Sequence, residues 1–596
     1  MSRKTGKFLS TVVMHQLVKF YSISLFLTVG LAFGTADPTN AARSTFNPKP
    51  SRHFDLTPVP NSVIKSIQKS LRKIGIYNGP IDGRANKETR QAIRRYQKIH
   101  GLKIDGKVSE NLANLLDTGS RVDKLLQNLD RARKEKIRKA REALLSMPET
   151  KHLLKNRKKE QANPARNTDA CFKEPTAECL LFEAAESAKS IYKKEMRDWA
   201  LGELLVAQTM AGLTNEAMAT TRRIHDPRLI VVALRNIAEA QATAGRPNEA
   251  LAAAAIIPDP LGKSEAYTAI AEKQAKRDEP LHTLETVKRL HTALQNISDP
   301  LKQLYFLTRA ASALSKAGYR QKALTYLREA NDRLGKKLTD KTYDTAIRYI
   351  AIAFAELGRP QESLSLIKKV HTKSERTPVL VRAAAAQAQT GEAMRAITTA
   401  TDITTLRYRA VVLCEIAESQ VKHGQIEHAW RTIHLAMDAA ENVKLPFAQS
   451  FAYSNITRAL AALGKAEGKG SRAFIKAKEI IELVRDDRLR AHGLWIITAE
   501  QRRAGKFAKA EETQQKAEDE TNEIKSHLSK IWMLSDIAEG HLKNDEKAAA
   551  RSVLNKAIKS ARLITNAWER TRAFAKVAVL WLTIRTNGFQ TAQRIP

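Results

Sequence analysis

The chain has 596 residues, and its 43% hydrophobic and 27% charged residues give the balance of a folded chain rather than a disordered one. A mean hydropathy of -0.39 excludes a multi-span membrane protein, and three cysteines exclude a small disulfide-built fold. The 100 Lys and Arg residues exceed the 63 Asp and Glu residues, and the net charge of +37 favours an anionic partner such as nucleic acid, lipid or a wall polymer. Aromatic residues reach only 6%, which disfavours a stacking platform for single-stranded nucleic acid.

The first 36 residues have the pattern of a secretory signal peptide. A basic start is followed by an uncharged stretch from Ile23 to Ala36, which closes on small residues. Because this stretch is shorter than the roughly 20 residues of a spanning helix, we predict a signal peptide over residues 1–36 and export to the periplasm. An uncleaved segment that anchors the chain in the inner membrane is the alternative. Both outcomes predict no nucleic-acid partner and no other transmembrane span.

Residues 37–59 are rich in Pro, Asn, Ser and Thr and indicate a linker. A small module is predicted over residues 60–118. Its first helix has apolar residues at helical spacing and ends at Gly75, and its second begins near Asn86. A third helix is predicted from Val108 to Leu116. Between the helices lie two turns, Asp82-Gly83 and Asp105-Gly106, of a type that glycine favours.

This module resembles the peptidoglycan-binding-like family, a small three-helix domain of envelope proteins. The matching residues are Ile67-Gln68, Leu71, Gly75, Tyr77, Gly79-Pro80, Asp82-Gly83, Thr89, Ala92, Tyr96-Gln97, Gly101-Leu102 and Asp105-Gly106. Two Asp-Gly turns at the correct spacing from a Tyr-Gln pair make this a specific signal over about a tenth of the chain. The resemblance implies a three-helix fold and peptidoglycan as a partner.

The resemblance offers five residues as glycan ligands: Tyr77, Asn78, Asp82, Arg84 and Tyr96. We expect Tyr77, Asn78 and Arg84 to be exposed at the first turn, where an aromatic ring could lie against a sugar and an amide could bind its hydroxyls. Asp82 and Tyr96 also have a structural interpretation, as a turn acceptor and a core residue. Three arginines on the second helix could attract wall carboxylates or simply be solvated: Arg90, Arg94 and Arg95.

Residues 119–170 form a strongly basic connector, predicted as a charged helix followed by a loop. It is either a solvated spacer or an electrostatic contact with an anionic wall or lipid, which salt would screen. Cys171 and Cys179 follow it, and in an oxidising compartment a bridge between them would contribute about 2 to 3 kcal/mol. Cys414 lies in an apolar segment, and we expect it to be a buried, unpaired thiol.

The chain from 171 to 596 repeats itself. Glycine or aspartate recurs every 33 or 40 to 41 residues, at Gly212, Gly245, Asp278, Gly318, Gly358, Gly391, Gly424, Gly464, Gly505 and Asp545. A small residue lies seven positions before most of these and another five positions after many of them, as in Ala238 and Ala250 around Gly245. The glycine predicts a helix-ending left-handed turn, and the small residues predict closely packed helix pairs.

This pattern resembles the tetratricopeptide repeat, whose period is about 34 residues. The resemblance implies an α-solenoid of about ten helical hairpins with a curved groove that binds an envelope protein, or else a purely structural spacer. Together with the module, it predicts an all-α fold.

We find no catalytic motif in the sequence. The nearest cluster of metal-ligating residues is His423, His428 and His434, whose spacing does not place them on one helix face. Glu239, Glu272, Glu415 and Glu418 recur with the repeats and are interpreted as a solvated helix face. We therefore predict a protein that is not an enzyme and has neither a metal nor another cofactor.

The sequence thus favours an exported, non-enzymatic scaffold that binds peptidoglycan and tethers a helical-repeat interaction surface to the cell wall. One alternative is a peptidoglycan hydrolase or a direct activator of one. Another is a basic envelope protein that binds anionic lipid and whose wall module no longer binds sugar.

Overall fold

The computed structural model describes residues 60–154, 160–334, 338–468 and 470–592. The predicted signal peptide and linker, residues 1–59, lie outside the described residues. Throughout the described ranges the chain is helical and contains no strand, which confirms the all-α prediction. The chain divides into two compact units, of which the first ends at Glu142 and the second begins at Ala143.

The first unit contains the helices of the module: α1 (Asn61–Lys73), α2 (Lys87–Ile99) and all but the last four residues of α3 (Glu110–Ser146). Asn86 caps α2, because its side-chain oxygen accepts a hydrogen bond from the Thr89 N–H at 2.8 Å. The three helices meet around a small core whose buried side chains include Ile67, Leu71, Tyr77, Ile93, Tyr96, Leu112 and Leu116.

The third helix is longer than its apolar pattern predicts. We expected a helix ending near Leu116 and a separate basic helix after it, whereas α3 continues without a break for 37 residues to Ser146. Arg138 holds the exposed part together through ion pairs to Glu135 and Glu142, both at 2.7 Å. The backbone therefore has no break at the predicted domain boundary between residues 118 and 119.

The second unit begins with short helices and continues as a regular array. The short helices are α4 (Pro148–Lys151) and α5 (Asp169–Lys173), followed by the longer α6 (Ala177–Lys189). In the array, the first helices of the hairpins are α7 (Lys194–Met210), α9 (Pro227–Thr243), α11 (Pro260–Lys276), α13 (Pro300–Lys316), α15 (Asp340–Glu356), α17 (Lys373–Gln389), α19 (Leu406–Lys422), α21 (Pro446–Glu467), α23 (Asp487–Arg503), α25 (His527–Lys543) and α27 (Ala567–Ala592).

The second helices alternate with them and are mostly shorter. They are α8 (Thr214–Arg223), α10 (Pro247–Ala255), α12 (Pro280–Leu294), α14 (Arg320–Asp332), α16 (Pro360–Ile367), α18 (Ala393–Thr401), α20 (Ile426–Glu441), α22 (Arg472–Glu482), α24 (Phe507–Glu523) and α26 (Lys547–Arg562). Each second helix packs on the first helix before it, and successive first helices pack on each other. This is the tetratricopeptide-like array that the sequence predicts.

The turns between the helices of a hairpin follow the predicted left-handed conformation with one exception. Asp278 and Asp545 replace glycine at a φ of 59°, so the substitution of aspartate at the repeating position is tolerated. Gly464 is the exception: α21 continues past it to Glu467, and the turn lies at Gly468, with a φ of 72°. Gly464 instead packs against Phe474, where a Cβ atom would lie 2.8 Å from the ring.

The small residues at the repeat positions are in the core. The alanines before the turns, such as Ala238 and Ala417, and those after them, such as Ala250 and Ala429, are at most 1% exposed. An alanine at both positions lets the backbones of the paired helices approach closely. The structure therefore supports the packing role that their spacing predicts.

Two recurring polar contacts, one between repeats and one within a hairpin, were not anticipated from the sequence. A basic residue near the start of a first helix donates to the carbonyl six residues before it, as Arg409 Nε does to Ile403 at 2.9 Å. A glutamine near the end of a first helix accepts from a threonine twelve residues later, as in Thr399 to Gln387 at 2.8 Å. Such contacts satisfy polar groups that are buried at the helix ends.

The array closes on itself. The last helix, α27, packs against both α6 and α7, so α6 occupies the place of a second helix beside α27 and completes an eleventh pair. The Phe172 ring lies 5.5 Å from Phe574, and Arg572 Nε lies 2.9 Å from Glu203 Oε2, although 369 residues separate the latter pair. The first helices therefore form a closed series rather than one with two free ends, and the curved groove that binds an envelope protein stays a prediction.

Candidate functional site

The first Asp-Gly turn of the module is held by a glutamine from α1. Gln68 Nε2 donates to Asp82 Oδ1 at 2.8 Å and to the Arg84 carbonyl at 3.1 Å, while its Oε1 accepts from the Gly83 N–H at 2.9 Å. Asp82 Oδ1 also accepts from the Arg84 N–H at 2.9 Å. The Gln68 hydrogen bond, followed by that of the Arg84 N–H, lowers the pKa of the Asp82 carboxyl below its usual value.

The second turn repeats this arrangement. Gln97 Nε2 donates to Asp105 Oδ1 at 2.8 Å, and its Oε1 accepts from the Gly106 N–H at 2.9 Å. The Lys107 N–H donates to Asp105 Oδ1 at 3.0 Å, and this bond, with that of Gln97, lowers the pKa of Asp105. The sequence interpretation recognised the two Asp-Gly turns and named Gln68 and Gln97 as family matches, but it did not assign them the role of holding the turns. An apolar or aromatic residue followed by Gln before each turn was the available signal.

The structure moves the two tyrosines out of the ligand set. Tyr77 is 2% exposed, and its hydroxyl donates to the Pro80 carbonyl at 2.8 Å, so the expectation of an exposed ring at the first turn is wrong. Tyr96 is 5% exposed and stacks on His100 with ring centroids 4.3 Å apart. Both rings are part of the small core of the module, which has few other large side chains. Neither can lie flat against a sugar.

The other three predicted ligands, Asn78, Asp82 and Arg84, are exposed. The structure brings only Arg84 into a depression with other charged groups. This depression has a volume of about 530 Å³, and the residues that line it are Asn61, Ile64, Gly83, Arg84, Ala85, Arg90, Lys107 and Val108. We call it the turn depression, because the residues after both Asp-Gly turns contribute to it.

The charge of the turn depression comes from three cations on three different segments. Arg84 follows the first turn, Lys107 follows the second, and Arg90 extends from α2, where its Nε donates to the Ala85 carbonyl at 3.1 Å. Arg94 and Arg95 are exposed on the same helix but do not line the depression. The module as a whole has twelve Lys and Arg residues against five Asp and Glu residues between 60 and 118. The arrangement suits an anionic group.

In the array, the recurring carboxylates are paired between successive first helices. Arg309 of α13 lies 2.5 Å from Glu272 of α11 and 3.4 Å from Glu356 of α15. Burial opposes the charge of Arg309, but the two carboxylates outweigh it and raise its pKa. Glu418 pairs likewise with Arg458 at 2.8 Å. The interpretation of these carboxylates as a merely solvated face is therefore wrong for Glu272 and Glu418.

Cysteine and histidine chemistry is limited in the described residues. Cys171 of α5 and Cys179 of α6 form a disulfide with Cα atoms 5.6 Å apart. Cys414 is unpaired and fully buried, and burial raises the pKa of its thiol. Within the described ranges, no three His, Cys, Asp or Glu side chains, including those around His423, are placed to hold a metal ion. In the same part of the chain, no helix is both long and apolar enough to cross a bilayer.

Comparison with known proteins supports the predicted resemblance of the module to the peptidoglycan-binding-like family. Residues 60–116 match the sequence family described as "Putative peptidoglycan binding domain". No curated protein matches the chain significantly.

Solved helical proteins resemble the chain at low identity and low TM-score. Ton1535 from Thermococcus onnurineus NA1 has 18% identity over 56% of this chain and 97% of its own, with a TM-score of 0.27. Aspartyl phosphate phosphatase F from Bacillus subtilis has 13% identity over 63% of this chain and 96% of its own, with a TM-score of 0.26. A circular tandem repeat protein has 13% identity over 70% of this chain and 98% of its own, with a TM-score of 0.16. The chain thus carries a peptidoglycan-binding-like module at residues 60–116, followed by a tetratricopeptide-like helical repeat array.

Proposed function

We propose that this protein is exported to the periplasm of a Gram-negative-type envelope and acts there as a non-enzymatic scaffold. The module binds peptidoglycan and keeps the helical array close to the wall. Tethering of this kind raises the effective concentration of the array near a partner without any new contact between them. The observation that carries the proposal is the family match of residues 60–116, with both turns intact in the structure.

Export is supported by two independent features. The first 36 residues have the three parts of a secretory signal, and the bonded pair Cys171 and Cys179 suits an oxidising compartment. An uncleaved N-terminal anchor in the inner membrane remains within this proposal. A reporter that becomes active only outside the cytoplasm, fused to the C-terminus of the whole chain, should be active. Loss of the signal after deletion of residues 1–36 is the expected control.

The array is proposed as the surface for an envelope protein. Ion pairs such as that of Arg309 with Glu272 join successive first helices, so we place partner contacts on exposed side chains of the second helices instead. Three apolar side chains stand at the starts of second helices directly after the turns: Leu281, Met394 and Phe507, which are 76%, 69% and 66% exposed. Leu281 and Met394 lie three residues after their turn residues and Phe507 lies two after its own, so all three are at the same end of their hairpins. Large exposed apolar side chains gathered in this way are typical of contact surfaces.

Co-sedimentation of the full-length chain with insoluble peptidoglycan, at low and at high salt, tests the wall-binding part. We expect the protein to pellet with the wall at low salt and to a smaller extent at high salt, because salt screens exposed charges. The matched control is Gln68→Leu, which removes the hydrogen bonds that hold the first turn and leaves the array unchanged. Retention at low salt that Gln68→Leu does not reduce would contradict binding by the module and favour a general charge effect.

Two further measurements separate the alternatives. Purified wall incubated with the protein alone should release no soluble fragments. A wall hydrolase should release fragments at the same rate with and without the protein. Release in either case would support a hydrolase or an activator. Tighter sedimentation with vesicles of anionic lipid than with wall would support the lipid-binding alternative.

A further inference from the structure

The module contains two tyrosines and no phenylalanine or tryptophan, and the structure buries both tyrosines. Tyr77 and Tyr96 are 2% and 5% exposed, so no tyrosine, phenylalanine or tryptophan ring between residues 60 and 118 is available to stack on a sugar. Stacking on an aromatic ring is the usual way in which a protein presents an apolar face to a carbohydrate. Recognition by this module must therefore rest on its polar and charged groups.

The charged groups of the module come together because its two Asp-Gly turns are built alike and lie side by side. In each turn an Asp-Gly pair, bound by a glutamine, is followed by a cation: Arg84 in the first and Lys107 in the second. Both cations line the turn depression, together with Arg90. In the described chain, the Arg84 and Lys107 side chains donate no hydrogen bond, whereas the two aspartates accept theirs from glutamine and backbone N–H groups.

We propose that the turn depression binds the free carboxylates of the peptidoglycan stem peptide, and that the glycan strand itself contributes little. This inference rests on the proposed function and names the part of the wall that is recognised. A stem peptide carries several carboxylates on a short flexible chain, whereas the amino sugars of the strand are largely uncharged. Arg84 supplies a planar fork of donors that matches one carboxylate, and Lys107 supplies a point charge for another.

The other members of the depression fit this assignment. Ile64, Ala85 and Val108 give an apolar floor against which the methyl groups of alanine residues can pack. Asn61 adds an amide for a peptide carbonyl. Arg90 is held by the Ala85 carbonyl and adds charge without needing to move.

The test is calorimetric titration of the full-length protein with three soluble wall fragments: a disaccharide with a tetrapeptide stem, the same disaccharide without peptide, and the free stem peptide. We expect the first and third to bind with similar affinity and the bare disaccharide to bind at least tenfold more weakly. Amidation of the stem carboxylates should reduce binding by a similar factor. Equal binding of the bare disaccharide, or no effect of amidation, would overturn the inference.

Variants locate the site. The double variant Arg84→Gln with Lys107→Gln should lose at least tenfold in affinity for the tetrapeptide fragment. The double variant Arg94→Gln with Arg95→Gln removes the same charge from the same module outside the depression and should change affinity less than twofold. Equal losses in both would show a general charge effect and overturn the inference. All four side chains are exposed, so folding should be retained, which thermal unfolding of each variant checks.

Failure of the stem-peptide inference can be distinguished from failure of the proposed function. If the wild-type protein does not sediment with wall, the proposed function itself fails. If it does sediment and the Arg84 and Lys107 variant sediments equally well, only the present inference fails. Vesicles of anionic lipid provide the third arm, because preference for them over the tetrapeptide fragment would assign the depression to phosphate instead of carboxylate.

Discussion

At the junction of the two ends of the array, a charged side chain lies among aromatic rings. The guanidinium carbon of Arg572 in α27 lies 4.5 Å from the ring centre of Trp568 and 4.9 Å from that of Trp199 in α7. The two tryptophans meet edge to face at 5.3 Å. Arg572 also forms the ion pair with Glu203 of α7, and its side chain is 12% exposed. We predict that Arg572→Ala loosens this junction selectively.

The size of the effect follows from these contacts. A partly desolvated cation above two indole rings contributes about 1 kcal/mol for each ring. Removing it also leaves Glu203, which is 29% exposed, without its cationic partner, although Trp199 Nε1 still donates to it at 3.1 Å. That loss is about 1 kcal/mol, because water still reaches the carboxylate. The expected destabilisation is therefore about 3 kcal/mol, a sizeable part of the 5 to 15 kcal/mol that is typical of folded proteins.

Hydrogen exchange measured helix by helix is the appropriate assay, because arrays of repeats do not always unfold in one step. In Arg572→Ala we expect faster exchange in α6, α7 and α27, with little change in α15 to α19, and a lower urea midpoint. Arg235→Ala is the matched control, since Arg235 pairs with Glu265 at 2.7 Å within the array. It should loosen α9 and α11 alone. Unchanged exchange in α6 and α27 of Arg572→Ala would refute the closed junction.

Three further predictions concern single sites. Gly493→Ala should destabilise by about 1 to 3 kcal/mol in urea unfolding, because its Cβ would meet the Ile481 side chain. Gly540→Ala, with open space at the Cβ position, should instead stabilise by about 0.5 to 1 kcal/mol, and a loss in that control would contradict the packing argument. Burial raises the pKa of Asp536 to about 6, so the folded state keeps its proton to a higher pH than the unfolded state, and stability is lost as the pH rises through about 6. The free energy of unfolding of Asp536→Asn minus that of wild type should therefore be about 1 to 2 kcal/mol more favourable at pH 8 than at pH 4. The same difference between variant and wild type at both pH values would argue against this burial. Reduction of the disulfide between Cys171 and Cys179 should cost about 2.5 kcal/mol, measured as a lower urea midpoint that the double serine variant reproduces without reductant.

Much of the array could be predicted because its determinants are local. A glycine or aspartate in the left-handed conformation and small residues at fixed distances specify a helical hairpin from within some 35 residues of sequence. Gly464 shows the limit of that reasoning. It keeps its place in the series, yet α21 continues through it and the turn moves to Gly468. A second glycine four residues later made both positions possible, and packing of Phe474 on Gly464 decided between them.

In the module, the family motif indicated the two turns and the three helices, but exposure could not be judged from it. Tyr77 was expected at the surface because it lies in a polar turn. In the structure its ring fills the core, and its hydroxyl reaches back to the Pro80 carbonyl. Arg84 was among the predicted ligands and lies in the turn depression, whereas Lys107 was missed. Lys107 follows the second Asp-Gly turn and Arg84 follows the first, and only the packing of the three helices brings these two cations into one depression.

The amino-acid sequence by itself determined the helical class, the period of the repeats, the position of most turns and the presence of a peptidoglycan-binding-like module. Each of these depends on residues that are near one another along the chain. Tertiary structure alone decided that the array closes and that Glu272 and Glu418 are paired rather than solvated. Closure arises from small rotations that accumulate over eleven helix pairs until Arg572 meets Glu203. Closure cannot be predicted from the sequence pattern of any single repeat, because each repeat contacts only its neighbours. The two ends become neighbours only when the whole array is built.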